Sequence, residues 1–165
     1  MISLLVRVEC LRGRVTKIEY RTLAVAEIEL LDEIDRSEVI DGRYQIHNGA
    51  LVLDAELHFE AHGWPAGEPD ASKPRIHECM ARGGAAWGAF AGDRLIGIAV
   101  LDGRRIGINL DTLDMYFLHT SNGYRGRGVG EELVRLVRDR ATELGARRLY
   151  VSSTPSANSV NRASL

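Results

Sequence analysis

Six consecutive residues in the C-terminal half, RGRGVG, combine the residue types that bind an anion. They follow an apolar run, LDMYFL, and precede a run with helical periodicity, EELVRLVRDRATEL. Backbone N–H groups at the start of a helix lack intrahelical partners and carry part of the helix dipole's positive charge. Glycines, which have no Cβ atom, let a phosphate approach that backbone. The sequence therefore predicts a pyrophosphate-sized anion site at Arg125, Gly126, Arg127, Gly128, Val129 and Gly130.

Two common phosphate motifs are excluded by spacing. A dinucleotide-binding fingerprint needs a third glycine where this chain has Glu131. A P-loop closes on a lysine, and the only lysines are Lys17 and Lys73, far from the glycines. An ordinary strand–helix connection with flexible glycines remains the alternative to an anion site.

The elements that must position this loop are predicted from periodicity. A strand is expected from Thr112 to His119, a helix from Gly128 to Leu144, and a further strand at Arg148–Ser153. The helix is the clearest, because one stripe of it is apolar and Gly145 suits its C-terminal cap.

The N-terminal half has weaker signals. Mixed helical spacing predicts a helix over Ile18–Leu31, and Asn48-Gly49 predicts a β-hairpin because both residues tolerate positive φ. The proline-rich stretch HGWPAGEPDASKP is typical of a long loop or lid. Further elements are expected at Arg43–His47 (strand), Ala50–Phe59 (strand), Pro74–Arg82 (helix), Ala86–Phe90 (strand) and Arg94–Leu101 (strand).

Length and composition limit the class of protein. The 165 residues, 45% hydrophobic and 27% charged, suit a single domain, 1–165. A net charge of -2 argues against nucleic-acid binding, and no run reaches membrane-spanning length, so a cytoplasmic protein without a membrane partner is expected. The stretch MISLLVRVECL is expected to be a first strand or an extension. Cys10, Cys79 and the histidine spacing predict no metal site.

The pattern R-x-x-G-x-G between a strand and a helix resembles the GNAT superfamily of acyl-CoA-dependent N-acetyltransferases. The matching core covers about residues 87–161. The resemblance implies an α/β (α+β) fold: a mixed, mostly antiparallel twisted sheet flanked by helices. It implies transfer of an acetyl group from acetyl-CoA to a primary amine of a small molecule or a protein. The alternative is a non-catalytic or truncated acyl-CoA-binding domain.

The resemblance also implies roles for residues. The backbone amides of the glycine loop bind the pyrophosphate of coenzyme A. The end of the preceding strand, Leu118, His119 and Thr120, binds the pantetheine arm through its backbone, and Asn158 contacts the same arm. A backbone N–H near Leu118 to Thr120 hydrogen-bonds the thioester carbonyl.

Acyl transfer to an amine also needs a group that takes the amine's proton, for which Asp114 and His119 are the candidates. Strand alternation predicts that they lie on opposite faces. His119 has the better unperturbed pKa, whereas Asp114 would act through water. Acidic residues and tryptophans remain candidates for acceptor binding, with core packing the alternative for Trp87: Asp111, Glu33, Asp35, Glu38, Trp64 and Trp87.

The C-terminal residues depart from the family pattern. Arg162 and Ala163 stand where an aromatic pair with the tyrosine that protonates the leaving thiolate is expected. The usual last two strands are missing, which indicates a truncated product, completion by another subunit, or a shortened member that keeps cofactor binding. An exposed edge at Arg148–Ser153 then predicts a homodimer. If a monomer nevertheless transfers the acetyl group rapidly, Tyr116, Tyr124 or solvent protonates the leaving thiolate in place of the missing acid.

Overall fold

The computed structural model describes residues 17–152. The predicted N-terminal strand, Asn158 and the Arg162-Ala163 pair lie outside the described residues. The described elements, in chain order, are β1 (Ile18–Thr22), a 3₁₀ segment (Val25–Glu33), β2 (Glu38–His47), β3 (Ala50–Ala61), α1 (Glu68–Ala81), β4 (Ala85–Ala91), β5 (Arg94–Ile106), β6 (Thr112–Thr120), a short 3₁₀ turn (Asn122–Tyr124), α2 (Val129–Glu143) and β7 (Arg148–Val151).

Five of the described strands form the main sheet in the order β1-β4-β5-β6-β7. The first three contacts between neighbouring strands are antiparallel, and only β6 and β7 are parallel. A connection between parallel neighbours has to cross the sheet, and α2 makes that crossover. The mixed, mostly antiparallel sheet flanked by helices is confirmed.

The two faces of the sheet are covered by different elements. Helix α2 buries Val129, Leu133 and Val137 on one face, which confirms the predicted helix. Gly128 and Gly145 bound it with φ of +80° and +77°, a conformation that favours glycine. The long 3₁₀ segment and α1 cover the other face with buried residues that include Ile28 and Ile76.

Strand β6 contains a β-bulge at Tyr116. Val100 of β5 lies opposite Phe117, whereas the next residue, Leu101, lies opposite Met115. An extra residue shifts the alternation of side chains by one position. Asp114, before the bulge, and His119, after it, therefore lie on the same face, towards α1. The prediction of opposite faces is wrong for this reason.

Two predictions for the N-terminal half are also wrong. Residues 18–22 form β1, which pairs with β4, and the 3₁₀ segment begins only at Val25. Sheet pairing overrides the local helical spacing here. Helix α1 begins at Glu68, so most of the predicted loop or lid is helical, with Pro74 inside the helix. Burial of Ile76 and Cys79 against the sheet offsets the proline's cost of about 3 kcal/mol.

The predicted hairpin is confirmed, with Asn48 and Gly49 at positive φ. Its strands, β2 and β3, are longer than predicted and form a separate two-stranded sheet. We call residues 38–61 the ribbon. The predicted strands β4, β5, β6 and β7 are confirmed as elements within the described residues.

Candidate functional site

The end of strand β6 is paired on one side only by the described strands. Its pairing with β5 continues to Thr120, whereas its pairing with β7 runs from Thr112 to Met115. Among residues 17–152, the backbone from Tyr116 to Thr120 therefore has no neighbouring strand on the β7 side. Extended backbone with free hydrogen-bonding groups accepts an added extended chain. This opening contains Leu118, His119 and Thr120.

The glycine loop continues directly from this strand end. In the part of the chain that the structure describes, the N–H groups of residues 126–131 donate no hydrogen bond, and the first such bond into α2 comes from Glu132. Gly126 and Gly128 have positive φ, and a Cβ atom built on either meets no atom within 4 Å. The space over these N–H groups is open, so the loop fits an anion such as a pyrophosphate.

The two arginines of the loop differ in their surroundings. Arg125 donates from Nε to the Thr120 carbonyl at 3.0 Å and from Nη1 to the Ser37 carbonyl at 3.0 Å. Its guanidinium group therefore holds the strand end and the start of the ribbon together. The Arg127 guanidinium lies 5.5 Å from the Tyr124 ring centroid, which leaves its positive charge beside the loop.

His119 is enclosed by aromatic rings and a cation. Its ring centroid lies 4.9 Å from that of Trp64 and 4.5 Å from that of Phe117. Arg36 Nε donates to His119 Nδ1 at 3.3 Å. Burial, followed by the charges of Arg36 and Arg125, lowers the pKa of His119 to about 3. The imidazole is therefore neutral at physiological pH, and its Nδ1 is already used as an acceptor.

Asp114 has the opposite character. It lies across from Asp102 in β5 and Tyr150 in β7, and its buried Oδ1 atom has no hydrogen-bond partner among the described residues. Burial and then the negative charge of Asp102 raise the pKa of Asp114, which Arg104 partly opposes. A carboxylate with raised basicity and a spare acceptor atom is suited to taking a proton or binding a cation.

Two acidic candidates from the segment DEIDRSE are used to hold the fold. Glu33 Oε2 accepts a hydrogen bond from the backbone N–H of Leu95 at 2.7 Å. Asp35 Oδ1 accepts one from the backbone N–H of Ser37 at 2.9 Å, and the hydroxyl and N–H of Ser37 lower the pKa of Asp35. Both carboxylates therefore have structural partners in the protein itself.

The remaining acidic candidates are paired with arginines. Asp111 Oδ2 lies 3.1 Å from Arg148 Nη2, and this pairing lowers the pKa of Asp111. Glu38 lies 4.0 Å from Arg125. Through its pairing with Arg148, Asp111 holds the first residue of β7 in place, and Glu38 is the first residue of the ribbon. None of these carboxylates resembles Asp114 in having an unpartnered buried oxygen.

The structure adds Arg36 to the candidate site, although sequence patterns did not indicate it. It also shows that Trp64 and Trp87 lie in different surroundings. Trp64 Nε1 donates to the Ile34 carbonyl at 2.8 Å, and the Arg36 guanidinium lies 5.4 Å from the Trp64 ring centroid. These two residues flank the ribbon in sequence and meet beside His119. Trp87 is buried in the core on the α2 side. A turn tryptophan and a basic residue after a helix were the available signals, and neither is specific.

The family model for "Acetyltransferase (GNAT) family" matches residues 52–163, well over half of the chain. The chain belongs to the GNAT acetyltransferase family. Comparison of the sequence with curated proteins found no significant match.

Solved structures of GNAT acetyltransferases share the fold. Nourseothricin acetyltransferase matches with a TM-score of 0.68 and 20% identity, covering 89% of this chain and 80% of that one. Aminoglycoside N-acetyltransferase AAC(6')-Iy in complex with CoA matches with a TM-score of 0.59 and 18% identity, covering 92% and 86%. The ribosomal-protein-alanine N-acetyltransferase of Brucella melitensis biovar Abortus matches with a TM-score of 0.56 and 12% identity, covering 90% and 88%.

Two further properties concern residues 17–152 alone. No helix among them is both long and apolar enough to cross a membrane. No three of their His, Cys, Asp or Glu side chains are grouped so that they would hold a metal ion.

Proposed function

We propose that this chain transfers the acetyl group of acetyl-CoA to a primary amine. The observation that carries the proposal is the combination of free N–H groups in residues 126–131 with the one-sided end of β6. A pyrophosphate and an extended arm joined to it are the ligand parts that these two features fit. Coenzyme A contains both.

The cofactor-binding roles follow from this fit. The backbone amides of Gly126–Gly130 hold the pyrophosphate at the start of α2, whereas the predicted contribution of the Arg125 amide is dropped because that N–H donates to the Asn122 carbonyl at 3.2 Å. The backbone of Leu118, His119 and Thr120 holds the pantetheine arm in the way that a sheet edge holds an added strand. Acetyl-CoA supplies the activated acyl group as a thioester. Asn158 stays a predicted pantetheine contact outside the described residues.

The opening beside β6 also supports a role in charge stabilisation. Attack on a carbonyl develops negative charge on its oxygen, and a fixed N–H donor lowers the energy of that state. A backbone N–H near Leu118 to Thr120 is our candidate donor. Its strand is held by β5 on one side and by Arg125 at the Thr120 carbonyl.

Asp114 is the candidate base that the surroundings support better. An amine nucleophile has to lose a proton, and the raised pKa and unpartnered Oδ1 of Asp114 suit an acceptor of that proton. His119, with its pKa near 3, is too weak a base at neutral pH. In our proposal His119 positions the strand end by packing against Trp64 and Arg36.

The acceptor is proposed to be a cationic amine. The buried, unpartnered oxygen of Asp114 favours an ammonium group over a neutral or anionic acceptor. Similar folds occur in proteins named for antibiotics and for a ribosomal protein, so both a small molecule and a protein stay within the proposal.

Thermal shift with acetyl-CoA, followed by an amine panel with thiol detection, tests the proposal. Ligand that binds the native state raises Tm by mass action. We expect stabilisation by acetyl-CoA and thiol release with at least one amine. Stabilisation without thiol release across the panel would favour the non-catalytic acyl-CoA-binding domain. No stabilisation at millimolar acetyl-CoA, together with a calorimetric null, would overturn both.

A further inference from the structure

The ribbon has one polar face and one apolar face. Directly opposed residues of two antiparallel strands share a face, and successive residues alternate. After Asp41, β3 contains two more residues than the paired part of β2. Because two is an even number, the opposed residues on either side of this irregularity still share the same faces. The opposed pairs on the apolar face are Ile40 with Phe59, Tyr44 with Leu53 and Ile46 with Leu51.

The polar face is an ordinary solvated surface. Asp41 Oδ1 lies 2.6 Å from His58 Nδ1, and Gln45 Nε2 donates to Asp54 Oδ2 at 3.2 Å. The acidic residues of this face outnumber its single arginine, Arg43. They are Asp41, Asp54, Glu56 and Glu60.

Within residues 17–152, no element covers the apolar face. Ile46, Leu51 and Phe59 are 79%, 67% and 56% exposed, and no other described element packs extensively on β2 or β3. A contiguous apolar strip of this kind is unfavourable in water and marks an interaction surface. A two-stranded hairpin is also marginally stable by itself, which adds to the need for a partner.

Charge and length narrow the choice of partner. The acidic opposite face disfavours anionic membranes and nucleic acid. The apolar face runs from Ile40 to Ile46, seven residues or about 24 Å, which exceeds a small-molecule acceptor. The apolar face has no charged side chain between Ile40 and the turn, so a partner face needs to be apolar, uncharged and equally long. The ribbon of a second copy meets all three requirements.

We propose that the apolar face of the ribbon packs on the same face of a second copy, as a two-fold dimer. Two such sheets stack about 10 Å apart without bringing like charges together. The apolar face measures about 24 by 10 Å, or roughly 240 Å², less than the ~800 Å² per partner of a standard interface. The dimer is therefore concentration-dependent. It uses a surface different from the Arg148–Ser153 edge considered from the sequence, and it does not depend on the proposed function.

Sedimentation velocity and light scattering of the full chain, from low micromolar to several hundred micromolar, test the dimer. We expect a monomer–dimer equilibrium in that range. The test variant combines Ile46→Lys with Leu51→Glu. These residues are directly opposed, so the new charges attract each other across the strands and keep the hairpin paired. Burying them in the interface raises the dimer Kd by at least about tenfold.

The matched control is the neighbouring pair on the polar face. Gln45→Lys with Val52→Glu introduces the same charges one residue away, where Val52 is 49% exposed. We expect the wild-type Kd and an unchanged circular dichroism spectrum. A wild-type monomer at all concentrations, a dimer that survives Ile46→Lys/Leu51→Glu, or equal loss in the control would overturn the proposal. A monomer in which only the test pair changes the KM of an amine would identify the face as part of the acceptor site instead.

Discussion

Two connections meet at the end of β6, and they treat their polar groups in opposite ways. In the β6–α2 connection, the N–H groups of residues 126–131 are left without protein partners among the described residues. In the connection between the long 3₁₀ segment and β2, two backbone carbonyls already accept hydrogen bonds from the protein. The Asp35 carbonyl accepts from the Asn122 N–H at 2.8 Å, and the Ser37 carbonyl accepts from Arg125.

The difference distinguishes polar groups that are free to bind a ligand from polar groups that stabilise the fold. Both segments are rich in charged residues, and both look functional in the sequence. A polar group that already has a good partner loses that interaction when it binds a ligand, whereas a free group loses only water. We therefore expect substitutions in the glycine loop to act on cofactor binding, and substitutions in the other connection to act mainly on stability.

The largest expected effect is on the binding side. Gly128→Glu should weaken acetyl-CoA binding by about a hundredfold or more, because the new carboxylate repels the pyrophosphate and replaces charge-assisted hydrogen bonds. Calorimetric titration measures the loss. Gly145→Glu is the control at the other end of α2: its φ of +77° matches the +80° of Gly128, so both variants carry the same backbone strain. Unchanged affinity in Gly128→Glu would show that the loop is not the phosphate site.

The next effect concerns the acceptor side. Asp114→Asn should lower turnover by roughly a hundredfold or more while acetyl-CoA affinity is kept, because a base acts on the amine. Steady-state kinetics and titration together make the distinction. Asp111→Asn is the control, since it alters a nearby carboxylate that is paired with Arg148. If Asp114→Asn stays active and His119→Ala is inactive, the two assignments are reversed.

The same variant should gain stability at neutral pH. The pKa of Asp114 is raised in the folded protein, so its stabilising contribution is complete at low pH and is lost as pH rises through that pKa. Asparagine, which does not ionise, avoids the loss. Tm of Asp114→Asn should exceed that of the wild type at pH 7 and converge with it in acid. A lower Tm of Asp114→Asn at pH 7 would mean that the surroundings stabilise the ionised Asp114 carboxylate, contrary to its raised pKa.

A smaller effect is expected from His119 on the pH dependence of stability. Its pKa is about 3 in the folded chain and near 6.5 when unfolded, so its contribution to stability falls as pH decreases from 6.5 towards 3. His119→Asn should reduce the slope of Tm against pH in that window. A histidine titrating near 6.5 by NMR would contradict the packing with Trp64 and Arg36 and restore His119 as a base.

The smallest effect on cofactor affinity is expected for Arg125. Arg125→Ala removes two hydrogen bonds to carbonyls, worth about 1.5–3 kcal/mol each because the donor is charged, from stability rather than from direct phosphate contact. Affinity for acetyl-CoA should fall less than in Gly128→Glu. Chemical denaturation and titration of the same sample separate the two losses. An equal loss of affinity in both variants would place the guanidinium group on the phosphate.

Local sequence was sufficient for the elements whose signals are strong. The stripe of Val129, Leu133 and Val137 predicts α2, and Asn48-Gly49 predicts the turn of the ribbon. The glycine loop could be located because its chemistry depends on backbone atoms, and a local motif fixes where those atoms lie. Such features need no distant partner, so the sequence by itself determines them.

Tertiary structure decided the features that depend on a distant partner. The segment Ile18–Thr22 becomes a strand because β4 lies beside it, and the bulge at Tyr116 arises from the register with β5. That bulge places Asp114 and His119 on one face, against simple alternation. Burial then shifts the pKa values of the two side chains in opposite directions, since His119 is enclosed by a cation and aromatic rings and Asp114 faces a second carboxylate. Residue type supplies the chemistry, but the neighbours brought by folding set each pKa.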